Sequence, residues 1–355
     1  MASAQRTRPE ALLSFTEAVL RAEGVPESDA HLLADTLVTA ELWGHASHGM
    51  LRLPWYVARL RSDAMARVTR IERVRDTGAL VVLDGANGIG QVITDHAISL
   101  GVERAREYGV SAIGVRNSGH FGTAAYFTRK AADQGCVALL STNASPAMAP
   151  WGGRHKSIGT NPWSIAAPAG RHGTVVMDLA NTAVARGKVY LAAERGTEIP
   201  EGWAADAEGN PTTDPRRAIE GLILPMAGPK GYVMSFMFDV LAGVLTGSAF
   251  GSDVAGPYQP DAPSGVGHLL LTIDVAAMDD PASYAERVEA LVDATRSAET
   301  AAWADRILVP GELEDRNLAE HTVTGITLTA TTWTSLATLG TETQVNLPPT
   351  EELAA

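Results

Sequence analysis

The densest run of polar side chains is Gly44-His45-Ala46-Ser47-His48-Gly49-Met50-Leu51-Arg52-Leu53-Pro54-Trp55-Tyr56, which sets two imidazoles, a hydroxyl, a guanidinium and a phenol within 13 residues. Imidazoles exchange protons near neutral pH, and a guanidinium grips a carboxylate through two parallel N–H bonds. If the run is helical, Ser47 or His48 falls four or five residues from Arg52, near one face, so a proton donor would stand beside a carboxylate clamp. The spacing suits a helix-end pair of His45 and His48 equally well. A metal reading of two histidines three apart is weaker, because no second cluster supplies more ligands at recognisable spacing.

A second constellation, Asn117-Ser118-Gly119-His120-Phe121-Gly122, falls between a predicted strand and a helix beginning near Thr123. Strand-to-helix turns often seat catalytic groups, and Gly119 and Gly122 let the backbone approach a ligand. His120 there either delivers a proton to a new alkoxide or amine, or is a turn histidine bonded to backbone. Asp84-Gly85-Ala86-Asn87-Gly88-Ile89-Gly90-Gln91 follows a strand and precedes a helix, as a dinucleotide fingerprint would. Its glycines run G-x-x-G-x-G, however, and no acidic residue ends a second strand about 20 positions on. It reads as a turn. A better phosphate candidate is Gly228-Pro229-Lys230-Gly231-Tyr232, a lysine between glycines opening a long helix whose N-terminal amides favour an anion.

Elements are needed to hold these groups. Leu12, Phe15 and Val19 recur at helical spacing up to Gly24, and Leu33, Leu37 and Ala40 repeat the pattern to Gly44, so the first 60 residues read as a helical lead-in. From Ala79 short β-prone runs alternate with amphipathic ones. Strands are predicted over Val81–Leu83, Ser111–Val115 and Val137–Ser141, with helices over Thr94–Glu107 and Thr123–Gln134 between them. Further strands are predicted at Trp163–Ala167, Val175–Leu179 and Leu269–Val275, while Val233–Leu245 reads as one largely buried helix. Helices close the chain over Ala282–Ser297 and after Gly311. Pro150-Trp151-Gly152-Gly153 marks a shaped loop, Glu201–Arg217 an ordered excursion, and the stretch from Thr341 a frayed tail. Alternation of this kind, taken alone, points to a parallel α/β sheet.

Composition narrows the partners. With 355 residues, 45% of them hydrophobic and 19% charged, the chain is long enough for two domains with a sizeable core. Its 41 acidic against 28 basic residues give a net charge of -13, which repels a polyanion and argues against nucleic acid. The single Cys136 lies in an apolar run, where a lone thiol packs as a small hydrophobe, so a reducing compartment fits. Glu10, Glu17 and Glu23 interrupt any signal-like apolar core, and no segment offers about 20 consecutive apolar residues for a membrane span. The expectation is a cytoplasmic protein with no membrane partner.

Taken in order, the segments resemble the malate/L-lactate dehydrogenase-like oxidoreductase family, whose members include ureidoglycolate and sulfolactate dehydrogenases, diketogulonate reductase and piperideine/pyrroline-2-carboxylate reductase. The resemblance spans nearly the whole chain. It is carried by Ser47-His48-Gly49 with Arg52 and Tyr56, the Asp84 to Gln91 turn, Asn117 to Gly122, Pro150 to Gly153 and Gly159-Thr160-Asn161-Pro162. Asp178-Leu179-Ala180, Arg186-Gly187-Lys188, Ile199 to Ala204, Pro211 to Pro215, Pro229 to Tyr232 and Pro310-Gly311-Glu312 match as well. Trp43, where many relatives carry a basic residue, and Ala227, where a second glycine is common, depart from the pattern.

The resemblance implies an α/β fold: a non-Rossmann NAD(P)-binding domain with a mixed sheet, plus a helical domain built from both chain ends. The expected division is 1–75 and 276–340 for the helical domain, 76–275 for the cofactor domain and 341–355 for a flexible tail. It further implies a homodimer that transfers a hydride between NAD or NADP and C2 of a small 2-oxo, 2-hydroxy or cyclic 2-imino carboxylic acid. His48 and His120 are both carried as the proton donor, with Ser47 beside them in the catalytic set. Arg52 and Tyr56 would hold the substrate carboxylate and its surroundings, and Thr160 and Asn161 would line the cleft. Ser141, Asn143, Asp178, Leu179, Ala180, Pro229, Lys230, Gly311, Glu312 and Leu313 match positions around the dinucleotide, and no metal is expected. The competing readings are a catalytically silent dinucleotide-binding protein and a metal-assisted hydrolase or lyase using His45, His48 and His120.

Overall fold

Apolar side chains recur at helical spacing near both chain ends, and they meet in one core. In the computed structural model, which describes residues 5–352, α1 (Pro9–Ala22), α2 (Glu27–Leu42) and α3 (Leu53–Arg61) bury Leu12, Phe15, Leu33, Leu37, Leu53 and Leu60 together. Leu336 and Leu339 of α12 (Ala330–Thr343) join the same cluster. β1 (Gln5–Thr7) pairs antiparallel with both β12 (Ile326–Leu328) and β13 (Thr350–Glu352). The stretch read as a frayed tail from Thr341 therefore continues a helix to Thr343 and then adds a strand, because β1 offers its backbone groups ladder partners.

Between the chain ends lies a seven-stranded sheet. Its members are β2 (Glu72–Asp76), β3 (Leu80–Asp84), β4 (Val110–Ser118), β5 (Cys136–Thr142), β6 (Trp163–Pro168), β7 (Thr174–Leu179) and β11 (Val266–Asp274), in the order β2-β3-β4-β11-β5-β6-β7. Only β3 and β4 run parallel as neighbours, joined by the crossover helix α4 (Gly90–Tyr108). The parallel sheet suggested by alternation gives way to a mixed one for two reasons. β11 arrives from far along the chain and wedges antiparallel between β4 and β5, and β5, β6 and β7 follow one another antiparallel. α4 and α5 (Ala124–Ala132) cover one face, where Val81, Ile98, Ile113, Phe127, Leu140 and Leu270 form the second core.

The excursion at 201–217 is ordered: β8 (Ala204–Ala205), β9 (Pro211–Thr212) and β10 (Leu222–Ile223) make a small sheet flanked by α6 (Arg186–Arg195) and α7 (Pro215–Glu220). After β11 come α9 (Val275–Met278) and α10 (Pro281–Arg296). Asp280 caps α10 by accepting from Ser283 N at 2.9 Å, and Glu289 anchors it to the β6–β7 turn through Arg171 N at 2.8 Å. α11 (Glu312–Thr324) lies on α2, where Asn317 Nδ2 donates to Trp43 O at 2.9 Å.

One expectation reverses. α8 (Pro229–Asp239) and the π turn after it (Val240–Val244) were expected to be largely buried, yet Val233, Phe236, Met237, Val244 and Leu245 are about half exposed. The helix turns its small and polar side inward. Gly231 abuts the Asn181 carbonyl, Ser235 Oγ donates to Gly159 O at 2.7 Å, and Asp239 accepts from Asn143 Nδ2 at 3.0 Å. Among the described residues no helix is long and apolar enough to cross a membrane.

Candidate active site

The polar run 44–56 forms two 3₁₀ turns, Ala46–His48 and Met50–Arg52, leading into α3. Met50 and Leu53, fully buried, pin it to the helical core, and the buried Glu41 at the end of α2 accepts from Met50 N at 2.7 Å. A side chain at Gly49 would collide with that carboxylate, so glycine lets the loop pass close beneath Glu41. Opposite, the turn after β4 carries His120. It is held by the buried Phe121, whose ring meets those of Phe127 and His268 edge-on.

These two turns face each other. The rings of His48 and His120 lie 5.6 Å apart at 17°, and Ser47 Oγ lies 3.0 Å from His48 Nδ1. Tyr56 Oη is 2.6 Å from His120 Nδ1, Gln91 Nε2 donates to Tyr56 Oη at 2.8 Å, and Gly122 N donates to His120 Nδ1 at 3.3 Å. A ring nitrogen that receives an N–H is not itself protonated, so the network assigns the Tyr56 hydroxyl as donor and puts the His120 proton on Nε2. Gln91 Oε1 is buried with no partner. Arg52 Nε donates to Ser47 O at 2.6 Å and its guanidinium lies 4.4 Å from the Trp55 ring centroid.

The electrostatics favour two neutral imidazoles. Burial, reinforced by Arg52 and then His45, holds His48 down at about 3, and burial with Arg52 and His48 holds His120 well below the usual value. Burial lowers Arg52 to about 10 and pushes the Tyr56 phenol upward. His45 is turned elsewhere: its Nε2 lies 3.2 Å from Glu314 Oε1. His268, buried between Ser118 Oγ and Thr142 Oγ1 at 2.8 Å each, is kept neutral by burial at about 3. Among the described residues no group of three or more His, Cys, Asp or Glu side chains is placed to hold a metal ion.

The residues expected around a dinucleotide fall into a band and a framework. Val176 N donates to Pro310 O at 3.2 Å, which lays Gly311, Glu312 and Leu313 beside the strand carrying Asp178 and Leu179. Ala180 follows, and Met226 N donates to Asn181 O at 3.0 Å, bringing up the turn before the exposed Pro229 and Lys230. Asp178 Oδ2 accepts from Ala125 N at 2.8 Å, so the band meets the start of α5 just beyond His120. Asn143 and Asn161 belong to the framework. Asn143 Nδ2 donates to Asp239 Oδ1 and to Ala249 O, and its Oδ1 accepts from Gly267 N at 2.9 Å; Asn161 Oδ1 accepts from Ala144 N at 2.9 Å and its Nδ2 donates to Ser235 O at 2.8 Å. Ser141 is fully buried, and Thr160 is half-buried with its carbonyl taken by Asn181 N.

The band suits a nicotinamide dinucleotide. Near Asp178, whose carboxyl burial pushes up, Thr123 Oγ1 is buried without a partner and Gly122 faces open space. A carboxylate and an unsatisfied hydroxyl match a carboxamide, which both donates and accepts. At the other end, Ala227 and Gly228 have φ of 49° and 65°. They bring the chain to the N-terminus of α8, where the helix dipole favours an anion such as a diphosphate.

Sequence reasoning passed over Gln91 as a partner of Tyr56, and Glu41 and His268 altogether. The signal of Gln91 and His268 is tertiary, since each meets the site through an element distant in sequence, while that of Glu41 is its burial at the end of α2.

A family profile described as Malate/L-lactate dehydrogenase matches residues 7–337. The L-sulfolactate dehydrogenase of Methanothermobacter thermautotrophicus is 37% identical over 342 residues, covering 96% of this chain and 98% of that protein. The (2R)-3-sulfolactate dehydrogenase (NADP(+)) of Chromohalobacter salexigens is 44% identical over 285 residues, covering 78% of this chain and 83% of that protein. Among solved structures, the sulfolactate dehydrogenase of Methanocaldococcus jannaschii matches with a TM-score of 0.90 at 35% identity, covering 96% of this chain and 98% of that one.

Proposed function

The chain belongs to the malate/L-lactate dehydrogenase family and is an NAD(P)-dependent dehydrogenase, and from that premise we propose what its site does. It reduces C2 of a small 2-oxo acid, or of a cyclic 2-imino acid, and oxidises the corresponding product in reverse. Bound NAD or NADP in its reduced form supplies the hydride. Asp178 and Thr123 would hold the carboxamide, Leu179, Ala180 and Gly311 to Leu313 the flanking surface, and Pro229 and Lys230 the diphosphate. The observation that carries the reading is the 2.6 Å approach of Tyr56 to His120, beside His48 and Arg52.

Arg52 takes the substrate carboxylate on its guanidinium fork. Burial is the main depression of both imidazoles and Arg52 adds to it; the arriving anion offsets the part due to Arg52, so His120 gains basicity once the site is filled. To take a second proton from solvent on Nδ1, His120 needs Tyr56 to turn its hydroxyl away and the longer 3.3 Å contact from Gly122 N to give way. Gln91, whose Oε1 lacks a partner, supplies the acceptor by turning its amide. The imidazolium then gives its Nε2 proton to the alkoxide or amine formed at C2, a contribution of about 10²- to 10⁴-fold. His48, fixed through Ser47, stays neutral and lines the same oxygen or nitrogen.

The protein works in the cytoplasm as a homodimer in this reading. Its one cysteine is buried and unpaired, and the exposed apolar row of α8 offers a surface for a second copy. A spectrophotometric screen of 2-oxo, 2-hydroxy and cyclic 2-imino acids with NAD(H) and NADP(H) tests the reading. Turnover of one of these acids is expected, and its absence across the set, in protein that still binds a reduced coenzyme, overturns it.

A further inference from the structure

One buried ring touches both flanks of His120. His268, on β11 and only 1% exposed, sets Nε2 2.8 Å from the Oγ of Ser118, two residues before His120. The same ring meets that of Phe121, one residue after His120, at 4.8 Å and 78°. On its other side Nδ1 lies 2.8 Å from Thr142 Oγ1, at the end of β5. A single imidazole thus ties the ends of β4 and β5 to the turn that carries the proposed acid.

A bulge makes this possible. His268 pairs with Val115 of β4 and Val266 pairs with Ser118, so β4 takes three steps where β11 takes two. Side chains alternate along a strand, and in a regular ladder Val115 and Ser118 would face opposite ways. The extra residue, with Asn117 at φ 52°, turns Ser118 back to the side of His268. The turn is also held by its carbonyls: Asn87 N donates to Asn117 O at 2.8 Å, and Gly90 abuts the carbonyls of Gly119 and His120. His268 holds it by two side chains.

The protons on His268 follow from Thr142. Its hydroxyl has one hydrogen and two carbonyls in reach, Gly267 O and Asn143 O at 3.0 Å each. With that hydrogen given to a carbonyl, Thr142 Oγ1 accepts from His268 Nδ1–H, and Nε2 accepts from Ser118 Oγ–H. Burial keeps the ring uncharged. Both nitrogens are committed, so His268 has no proton to exchange with a substrate and acts through position alone.

We propose that His268 is the positioning residue of the acid–base centre: by holding Ser118 and Phe121 it sets the His120 ring against Tyr56 and toward the group reduced at C2. This rests on the proposed role of His120 in that reaction.

The test separates the two arms of His268 in the full-length enzyme. Ser118→Ala removes the arm toward His120, and Thr142→Val removes the arm toward β5. Both should lower the melting temperature, since each leaves one ring nitrogen without its partner. Misplacing the acid predicts that kcat for oxaloacetate reduction falls about 10- to 100-fold in Ser118→Ala, with KM nearly constant, and about twofold or less in Thr142→Val. His268→Phe removes the same bond as Ser118→Ala, so the two combined should lower kcat no further than one alone. Ser118→Ala keeps the test decisive should His268→Phe fail to fold. Equal kcat in Ser118→Ala and Thr142→Val, or losses that add in the double variant, overturn the proposal. NMR of protein labelled with ¹⁵N-histidine reads the His120 ring without turnover, the signal being assigned by its loss in His120→Gln. A single Nε2–H tautomer is expected in the wild type and in Thr142→Val, and a shift toward a mixture of tautomers in Ser118→Ala. A His120 signal unchanged in Ser118→Ala overturns the positioning. Absence of oxaloacetate reduction in the wild type counts against the C2 reaction alone, and the NMR comparison then decides the positioning by itself.

Discussion

The imidazole of His120 lies nearly parallel to that of His48, with 5.6 Å between ring centroids and Arg52 acting on both. Two positive charges at that spacing in a buried site repel strongly, so the pair holds at most one proton beyond neutrality. The rings are not equivalent. His120 has a phenol and an amide behind it, whereas His48 has a single serine hydroxyl.

That asymmetry predicts unequal losses. Replacing His120 by Gln removes the proposed acid and lowers kcat by about 10²- to 10⁴-fold, while His48→Gln costs about tenfold. Coenzyme affinity, followed by the fluorescence of the reduced nicotinamide, changes little in either variant. Unchanged turnover in both removes the histidines from the chemistry.

Tyr56 acts through His120. In Tyr56→Phe the His120 Nδ1 and Gln91 Nε2 both lose a buried partner, at about 1–3 kcal/mol of stability. Freed of the hydroxyl, the imidazole keeps only the longer bond from Gly122 N to its Nδ1, so its tautomer is held less firmly. We expect kcat to drop about tenfold and the pH profile of kcat to shift, with KM less affected. A merely structural Tyr56 would lower the melting temperature and leave the pH profile in place.

Arg52 grips by shape as well as charge. Lysine keeps the charge but loses the fork and the stacking on Trp55, so Arg52→Lys should raise KM about 10- to 100-fold with a smaller change in kcat. A fall in kcat with KM constant would place Arg52 in the reacting group's charge stabilisation instead.

Much of this was legible because its signals are local. Helical spacing of Leu12, Phe15 and Val19 located the first helices, and the strand-to-helix turn at His120 was readable from its glycines. The place of β11 between β4 and β5 was not readable, since strand order is decided by packing between segments more than a hundred residues apart. The outward face of α8 escaped for a related reason. An apolar run says that a surface avoids water, but not whether this chain or another covers it. Among site residues, the histidine, arginine and tyrosine of 47–56 stood out by density. Asn143 matched a pattern around a cofactor and Asn161 one along the substrate cleft, and their amides also knit strands and loops together, a role that spacing does not separate from ligand binding.

The last prediction concerns Glu41, which steadies the histidine loop. Burial pushes its carboxyl from an ordinary value of 4.5 up to about 7, offset in part by the bond from Met50 N. The folded value exceeds the unfolded one, so between them the folded chain binds more protons. The stabilising effect is therefore full below pH 4.5 and lost as pH rises through about 7. His48 and His268, depressed from 6.5 to about 3, act with the opposite sign and cost stability as pH falls below 6.5. Glu41→Gln keeps an oxygen for Met50 N and carries no charge, so it should cancel only the alkaline loss. Relative to wild type, the variant should gain about 1–3 kcal/mol between pH 5 and pH 8 in thermal melts, and its acid-side decline should persist. Melting curves that run parallel across that range would mean that Glu41 is ionised in the folded loop throughout.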